Sequence, residues 1–172
     1  MLILVTGGSA SGKSAYAESL CLARTPRYYV ACMQPYGEEG AARVARHRAM
    51  RQDKGFTTVE RYADLSSLVL PERGCALLED VGNLAANEMF RDGGVKDPFD
   101  AVLSGVEALF RQCDRLVIVT DEIGSDGVSY DPATTAYLAA LGRINRALAA
   151  RADAVIETVA GIPVPLKGDL PV

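Results

Sequence analysis

A chain of 172 residues, 49% hydrophobic and 23% charged, is long enough for one well-packed α/β domain and short for two, so residues 1–172 read as a single domain. Its net charge of −4 argues against nonspecific nucleic-acid binding, which rests on neutralising many phosphates. No apolar run approaches the roughly 20 residues that span a bilayer, which excludes a membrane partner, and Cys21, Cys32, Cys75 and Cys113 form neither a C-x-x-C pair nor a zinc spacing.

Met1 opens directly into the apolar run Leu2-Ile3-Leu4-Val5, without a charged n-region or a cleavage site, which points to a cytoplasmic protein with reduced thiols. The eight residues after Thr6, Gly7-Gly8-Ser9-Ala10-Ser11-Gly12-Lys13-Ser14, fit the P-loop pattern G-x-x-x-x-G-K-[ST]. Glycines let backbone N–H groups curl around a phosphate without Cβ clashes, and the helix that starts at Lys13 aims its positive end at the same anion. Lys13 is placed to reach the terminal phosphates and the Ser14 hydroxyl to hold Mg²⁺. A nucleoside triphosphate is the first ligand expected.

Ala15 to Ala23 reads as the helix that carries this loop, ended by Thr25-Pro26, and Arg27 to Cys32 as the second strand. Turn chemistry at Gln34-Pro35-Tyr36-Gly37 precedes a polar helix from Glu38 to Arg51. Phe56 to Arg61 reads as a strand, and Asp64 as the cap of a short helix over Leu65, Leu68 and Val69. Cys75 to Asp80 is an apolar run ending in carboxylates, the form of a buried parallel strand presenting acids at its C-terminal end. In a P-loop protein such an acid approaches the Mg²⁺. Helices are expected from Gly82 to Phe90, from Asp97-Pro98 to Cys113, and from Ala133 to Arg151. Leu116 to Thr120 and Ala154 to Val159 read as strands, and Gly161-Ile162-Pro163-Val164-Pro165 as a closing loop.

Strands alternating with helices predict an α/β fold of the P-loop NTPase (RecA-like) type, a mainly parallel sheet flanked by helices. The ligand is expected over the C-terminal strand edge, where the P-loop, Glu79 and Asp121 to Gly124 converge.

The polar helix holds the sole histidine, His47. At about 100° per residue, Ala41, Ala45 and Ala49 form one stripe with Val44 at its edge, whereas Arg43, His47 and Arg51 form another. Flanking guanidinium groups favour the neutral, nucleophilic imidazole by like-charge repulsion and can neutralise a polyphosphate leaving group. Such a site suits attack on a nucleotide phosphorus; the plain alternative is an ordinary surface histidine.

Several segments follow the order seen in one family: VTGGxxSGKS, the helix Glu39-x-Ala41-Ala42-Arg43-Val44-x-x-His47-Arg48-x-x-Arg51, Thr58-Val59-Glu60, and the acid-tipped strand with Asn87 downstream. Then come Val119-Thr120-x-Glu122-Ile123-Gly124, Gly142-Arg143-x-Asn145, Ala152-Asp153-x-Val155 and Gly161-x-Pro163. The chain thereby resembles the adenosylcobinamide kinase/adenosylcobinamide-phosphate guanylyltransferase family over almost its whole length.

That resemblance implies a bifunctional enzyme of cobalamin assembly. It would phosphorylate adenosylcobinamide, then transfer GMP from GTP to the product and release pyrophosphate. His47 would be the nucleophile, with Lys13 and Glu79 completing the catalytic set. Gly7 to Ser14, Arg43, Arg48, Arg51, Glu60, Glu79 and Asp80 would bind nucleotide, Ser14 and Glu79 would hold Mg²⁺, GTP and ATP would be the substrates, and the chain would form a homotrimer.

This sequence departs from the family at three places. Asp121 stands for an asparagine, Asp80 for a cysteine, and Thr135-Ala136-Tyr137-Leu138-Ala139 for R-x-[FY]-R-D. A P-loop kinase without the second step, for this or another small hydroxylated metabolite, and a nucleotide-binding regulatory protein are the alternatives.

Overall fold

The computed structural model describes residues 1–35, 37–124 and 127–171; along Gly37–Arg51 the side chains at positions 39, 41, 43, 46, 47, 48 and 50 lie outside the described set. Seven strands form one sheet among these residues: β1 (Leu2–Thr6), β2 (Arg27–Ala31), β3 (Thr57–Glu60), β4 (Gly74–Glu79), β5 (Cys113–Val119), β6 (Ala154–Val159) and β7 (Ile162–Lys167). Their order is β3-β2-β4-β5-β1-β6-β7, with every pairing parallel except the antiparallel β6–β7 hairpin. β1 therefore sits inside the sheet, and the loop that leaves it emerges between the ends of β5 and β6.

The inner strands read as continuous apolar runs because both of their faces are covered. Ile3, Val5, Leu77, Val117, Val119 and Ile156 face the layer of α1 (Lys13–Ser19), packing on Ala17 and Cys21. Leu2, Leu4, Leu78, Leu116 and Ile118 face the other way. They meet Leu84 of α3 (Val81–Phe90), Val102, Val106 and Leu109 of α4 (Phe99–Arg111), and Leu141, Ile144 and Leu148 of α5 (Pro132–Arg151). The fifteen-residue α2 (Gly37–Arg51) stands apart from both layers: its Val44, Ala45 and Ala49 line a cavity. Ala45 and Ala49 of the small-residue stripe read from the sequence, with Val44 at its edge, thus face the cavity, while the Ala41 side chain lies outside the described set.

Four expectations are corrected. The α1 ladder stops at Ser19 rather than Ala23, because the chain tightens into i→i−3 bonds (Cys21 N–H to Glu18 carbonyl, Leu22 N–H to Ser19 carbonyl) on its way to β2. Asp64 does not cap through its side chain; it lies at φ 51 and its carboxylate takes the Ser66 and Ser67 hydroxyls ahead of the single 3-10 turn Leu65–Ser67. α4 ends at Arg111, and Cys113 opens β5.

The closing loop is a strand, β7. Ala160 and Gly161 sit at φ 49 and φ 81, the conformation a two-residue hairpin turn demands. With Val159 paired to Ile162, alternate residues of β7 turn their N–H positions outward, and those residues are Pro163 and Pro165. Proline lacks that donor in any case, so an edge strand accepts it there at no loss and gains an edge that cannot template further pairing.

Candidate functional site

The C-terminal ends of β1, β4 and β5 meet at a cavity of about 1020 Å³. Its walls include Ser9 to Ala15 from the loop and α1, Glu79, Asp80 and Asp121 from the strand ends, and Tyr29, Thr58, Glu60 and Tyr62 from the far side. Gly7 is held at φ 151 and Gly12 at φ 93; a Cβ on Gly7 would lie 2.6 Å from the Thr158 carbonyl oxygen, so the first glycine of the pattern is required by close approach. Gly12 is also the N-cap of α1 and offers no side-chain cap, which leaves the first N–H groups of that helix for a ligand.

Lys13 Nζ donates to the Gly8 carbonyl at 3.0 Å and pairs with Asp121 Oδ1 at 2.7 Å. The Ser14 hydroxyl donates to Glu79 Oε1 at 2.6 Å, while Glu79 Oε2 is buried with no hydrogen-bond partner. Burial pushes the Glu79 carboxyl up to about 8 against the opposing Ser14 hydrogen bond, and the neighbouring Asp80 charge adds to the rise. Two hard oxygen donors, one of them an orphaned buried carboxylate atom, fit a Mg²⁺ ion that takes its other ligands from phosphate and water.

Asp80 does different work from Glu79. Its Oδ1 accepts the Asn83 N–H at 2.7 Å and its Oδ2 the Asn83 side-chain amide at 2.8 Å, so it is the N-cap of α3. Burial raises its pKa, opposed by the Asn83 N–H, and the Asp121 charge raises it further.

Arg51 turns inward at the end of α2. It is only 6% exposed, its guanidinium carbon lies 3.3 Å from the Tyr29 ring centroid, and its Nε and Nη1 have no hydrogen-bond partner. A buried cation with unmet donors beside a cavity is poised for an anionic ligand. Tyr29 is itself held edge-on against Phe56, with ring centroids 6.2 Å apart.

The structure brings Gly7 to Ser14, Arg51, Glu60, Glu79 and Asp80 to one region; Ser9 to Ser14, Arg51, Glu60, Glu79 and Asp80 line the cavity itself. His47, Arg43 and Arg48 lie on α2, between the cavity-lining Ala45 and Ala49 in the case of His47 and Arg48, but their side chains are outside the described residues. Asn87 is structural: its amide donates to the carbonyls of Cys32 at 2.8 Å and Tyr62 at 2.9 Å, tying together the exits of β2 and β3. Asn145 accepts the Thr120 hydroxyl at 2.7 Å and donates to the Asp121 carbonyl at 3.4 Å, fixing the exit of β5. Arg143 pairs with Asp97 on the surface, at 2.7 Å. Tyr29 and the Lys13–Asp121 pair were not assigned from the sequence, because strand periodicity marks Tyr29 only as a buried β residue and no local signal couples residues 13 and 121.

Among known proteins, the family model described as cobinamide kinase / cobinamide phosphate guanyltransferase matches residues 3–166. The chain is 35% identical over 182 residues to the bifunctional adenosylcobalamin biosynthesis protein CobU of Escherichia coli (strain K12), covering 97% of this chain and 100% of that one. Its counterpart in Salmonella typhimurium is 34% identical over the same coverage. The bifunctional adenosylcobalamin biosynthesis protein CobP of Pseudomonas aeruginosa is 33% identical, covering 96% of this chain and 97% of that one. Among solved structures, a type III secretion system ATPase from pathogenic bacteria is a distant likeness, with TM-score 0.48 and 16% identity over 95% of this chain and 56% of that one. On the match of the family model across residues 3–166 and on these near-full-length relatives, the chain belongs to the cobinamide kinase / cobinamide phosphate guanyltransferase family.

Proposed function

We infer that this chain is a bifunctional enzyme of adenosylcobalamin biosynthesis that phosphorylates adenosylcobinamide and then transfers GMP from GTP to adenosylcobinamide phosphate. The observation that carries the reading is the single cavity in which the P-loop, the Ser14–Glu79 pair and the inner face of α2 meet. In the first step Lys13 exchanges Asp121 for the terminal phosphates of ATP or GTP, and the N–H groups at the start of α1 cradle the same charge. Mg²⁺ held at Ser14 and Glu79 would neutralise charge on the phosphoryl oxygens. The substrate hydroxyl oxygen forms a bond to the γ-phosphorus, the bond to the nucleoside diphosphate breaks, and the hydroxyl proton passes to solvent.

In the second step an imidazole nitrogen of His47 forms a bond to the α-phosphorus of GTP as the bond to pyrophosphate breaks. Arg51, and Arg43 and Arg48 from the same helix, take up charge on the leaving group. The corrinoid phosphate then displaces the histidine and carries GMP away. Arg51 has the property such a role needs, a buried cation with free donors at the cavity wall. Glu60 and Asp80 are read as nucleotide contacts, Asp80 through the α3 terminus that it caps. The reaction takes place in the cytoplasm, and the active form is a homotrimer; among the described residues no helix is long and apolar enough to cross a membrane.

The test is to mix the protein with α-labelled GTP and Mg²⁺, denature it, and compare acid-labile, base-stable label in the native chain and in His47→Asn. Label in the native chain and none in the variant is expected, with kinase activity kept by both. Equal labelling of the two removes His47 from the mechanism, and kinase activity without label in either leaves only the first step.

A further inference from the structure

The segment Gly161-x-Pro163 belongs to neither reaction step, yet it touches the P-loop. The Gly161 N–H donates to the Ser11 carbonyl at 2.9 Å, and a Cβ on Gly12 would lie 3.2 Å from the Gly161 Cα and 3.7 Å from the Thr158 methyl. On the opposite side of the loop the Glu122 N–H donates to the Gly7 carbonyl at 3.3 Å. The loop is thus gripped by two backbone donors that come from the exits of β5 and β6.

We propose that the turn of the β6–β7 hairpin positions the P-loop, with Gly161 as the positioning residue; this rests on the reading of residues 7–14 as the phosphate-binding loop. In a trans peptide the C=O and the following N–H point in opposite directions. Drawing the Ser11 carbonyl toward the hairpin therefore turns the Gly12 N–H away from it, into the bowl of the loop where the triphosphate is bound. Without the Gly161 donor the Ser11–Gly12 plane is free to rotate, and a carbonyl lone pair facing a phosphate is repulsive. The donor is in place only because Gly161 occupies φ 81, a region that side-chain-bearing residues rarely adopt. No atom lies within 4 Å of a Cβ added at Gly161, so a substitution there acts through backbone conformation alone.

The experiment titrates a fluorescent nucleoside triphosphate with Mg²⁺ into the native chain, Gly161→Val, Gly161→Ala, Gly161→Asn and Lys13→Ala, well below the unfolding temperature recorded for each. Gly161→Val is expected to weaken binding by about tenfold or more, Gly161→Ala by less, and Gly161→Asn least, because asparagine tolerates positive φ. Hydrogen exchange of the amides of residues 7–14 is expected to speed up in the same order. If Gly161→Val does not fold, Gly161→Ala decides the matter. Triphosphate affinity within twofold of native in the folded valine and alanine variants, while Lys13→Ala loses it, overturns the hairpin role and leaves the phosphate loop standing. An asparagine variant as weak as the valine one overturns the conformational argument. Retained affinity in Lys13→Ala points instead to failure of the phosphate-loop reading.

Discussion

Lys13 waits in the resting site already paired with Asp121. The Asp121 carboxylate 2.7 Å from Lys13 Nζ has to be displaced before a phosphate can take its place, and it then stands as a like charge near that phosphate. Asp121→Asn keeps the volume and removes both effects, so it is expected to tighten triphosphate binding by about threefold to tenfold; this partly exposed pair is worth on the order of 1 kcal/mol. Isothermal titration of the two proteins checks this, and unchanged or weaker binding in the variant would show that Asp121 does not oppose the ligand. Glu79 makes a second test. Its carboxyl stays neutral in the folded chain up to about 8, whereas the unfolded side chain ionises near 4.5. Between those values the folded state holds a proton that the unfolded state has released. The associated stability is therefore complete below about pH 4.5 and is lost as pH rises toward 8. Urea midpoints are expected to fall across this window more steeply in the native chain than in Glu79→Gln, which has no proton to lose. Parallel profiles would show that the carboxyl is already ionised.

The starts of α1, α3 and α5 differ in how their N–H groups are met. α3 and α5 begin at capping aspartates: Asp131 Oδ1 accepts the N–H groups of Ala133 at 2.9 Å and Thr134 at 3.1 Å, with Pro132 in the first turn, and Asp80 does the same for Asn83. α1 begins at a glycine with nothing capping it. Asp131→Ala is expected to lower the unfolding free energy by about 1 kcal/mol and to leave triphosphate affinity unchanged, because the Asp131 carboxylate binds Ala133 and Thr134, away from Tyr137 and Asn145, through which α5 reaches the site. Denaturant unfolding beside a binding titration would reveal a loss of affinity if the start of α5 instead shapes the cavity. The same comparison gives Asp80 its role: a carboxylate there closes a helix end that would otherwise carry unsatisfied N–H groups.

For the molecule as a whole, the outer sheet edge at β7 leaves Ile162 65%, Val164 39% and Leu166 59% exposed, beside Val159 of β6. With Pro163 and Pro165 on the outward backbone positions, this edge is not built to extend the sheet by another strand. The proposed homotrimer is tested by light scattering at micromolar concentration, where a mass near three times 18.3 kDa is expected and a monomeric mass would remove it.

Local chemistry was enough to read the glycine-rich loop between β1 and α1, the paired acids closing a buried strand, the parallel alternation of strands and helices, and an arginine-rich helix with small residues along it. Each of these is written in contiguous residues, as a turn that only glycine can make, an apolar run that needs two covered faces, or a 3.6-residue period. Pro163 and Pro165 misled that reading, since a proline looks like a strand breaker until its neighbours show that its N–H position faces outward. Asp80 and Glu79 look alike in sequence; only the direction of each side chain, toward Asn83 or toward Ser14, separates the cap of α3 from the carboxylate that accepts the Ser14 hydroxyl. Lys13 with Asp121, Arg51 on Tyr29, and Gly161 on Ser11 join residues from distant parts of the chain or different elements. Contacts of that kind leave no local trace, because they exist only once strand order has placed β1 between β5 and β6 and brought residues of α2 to the cavity wall.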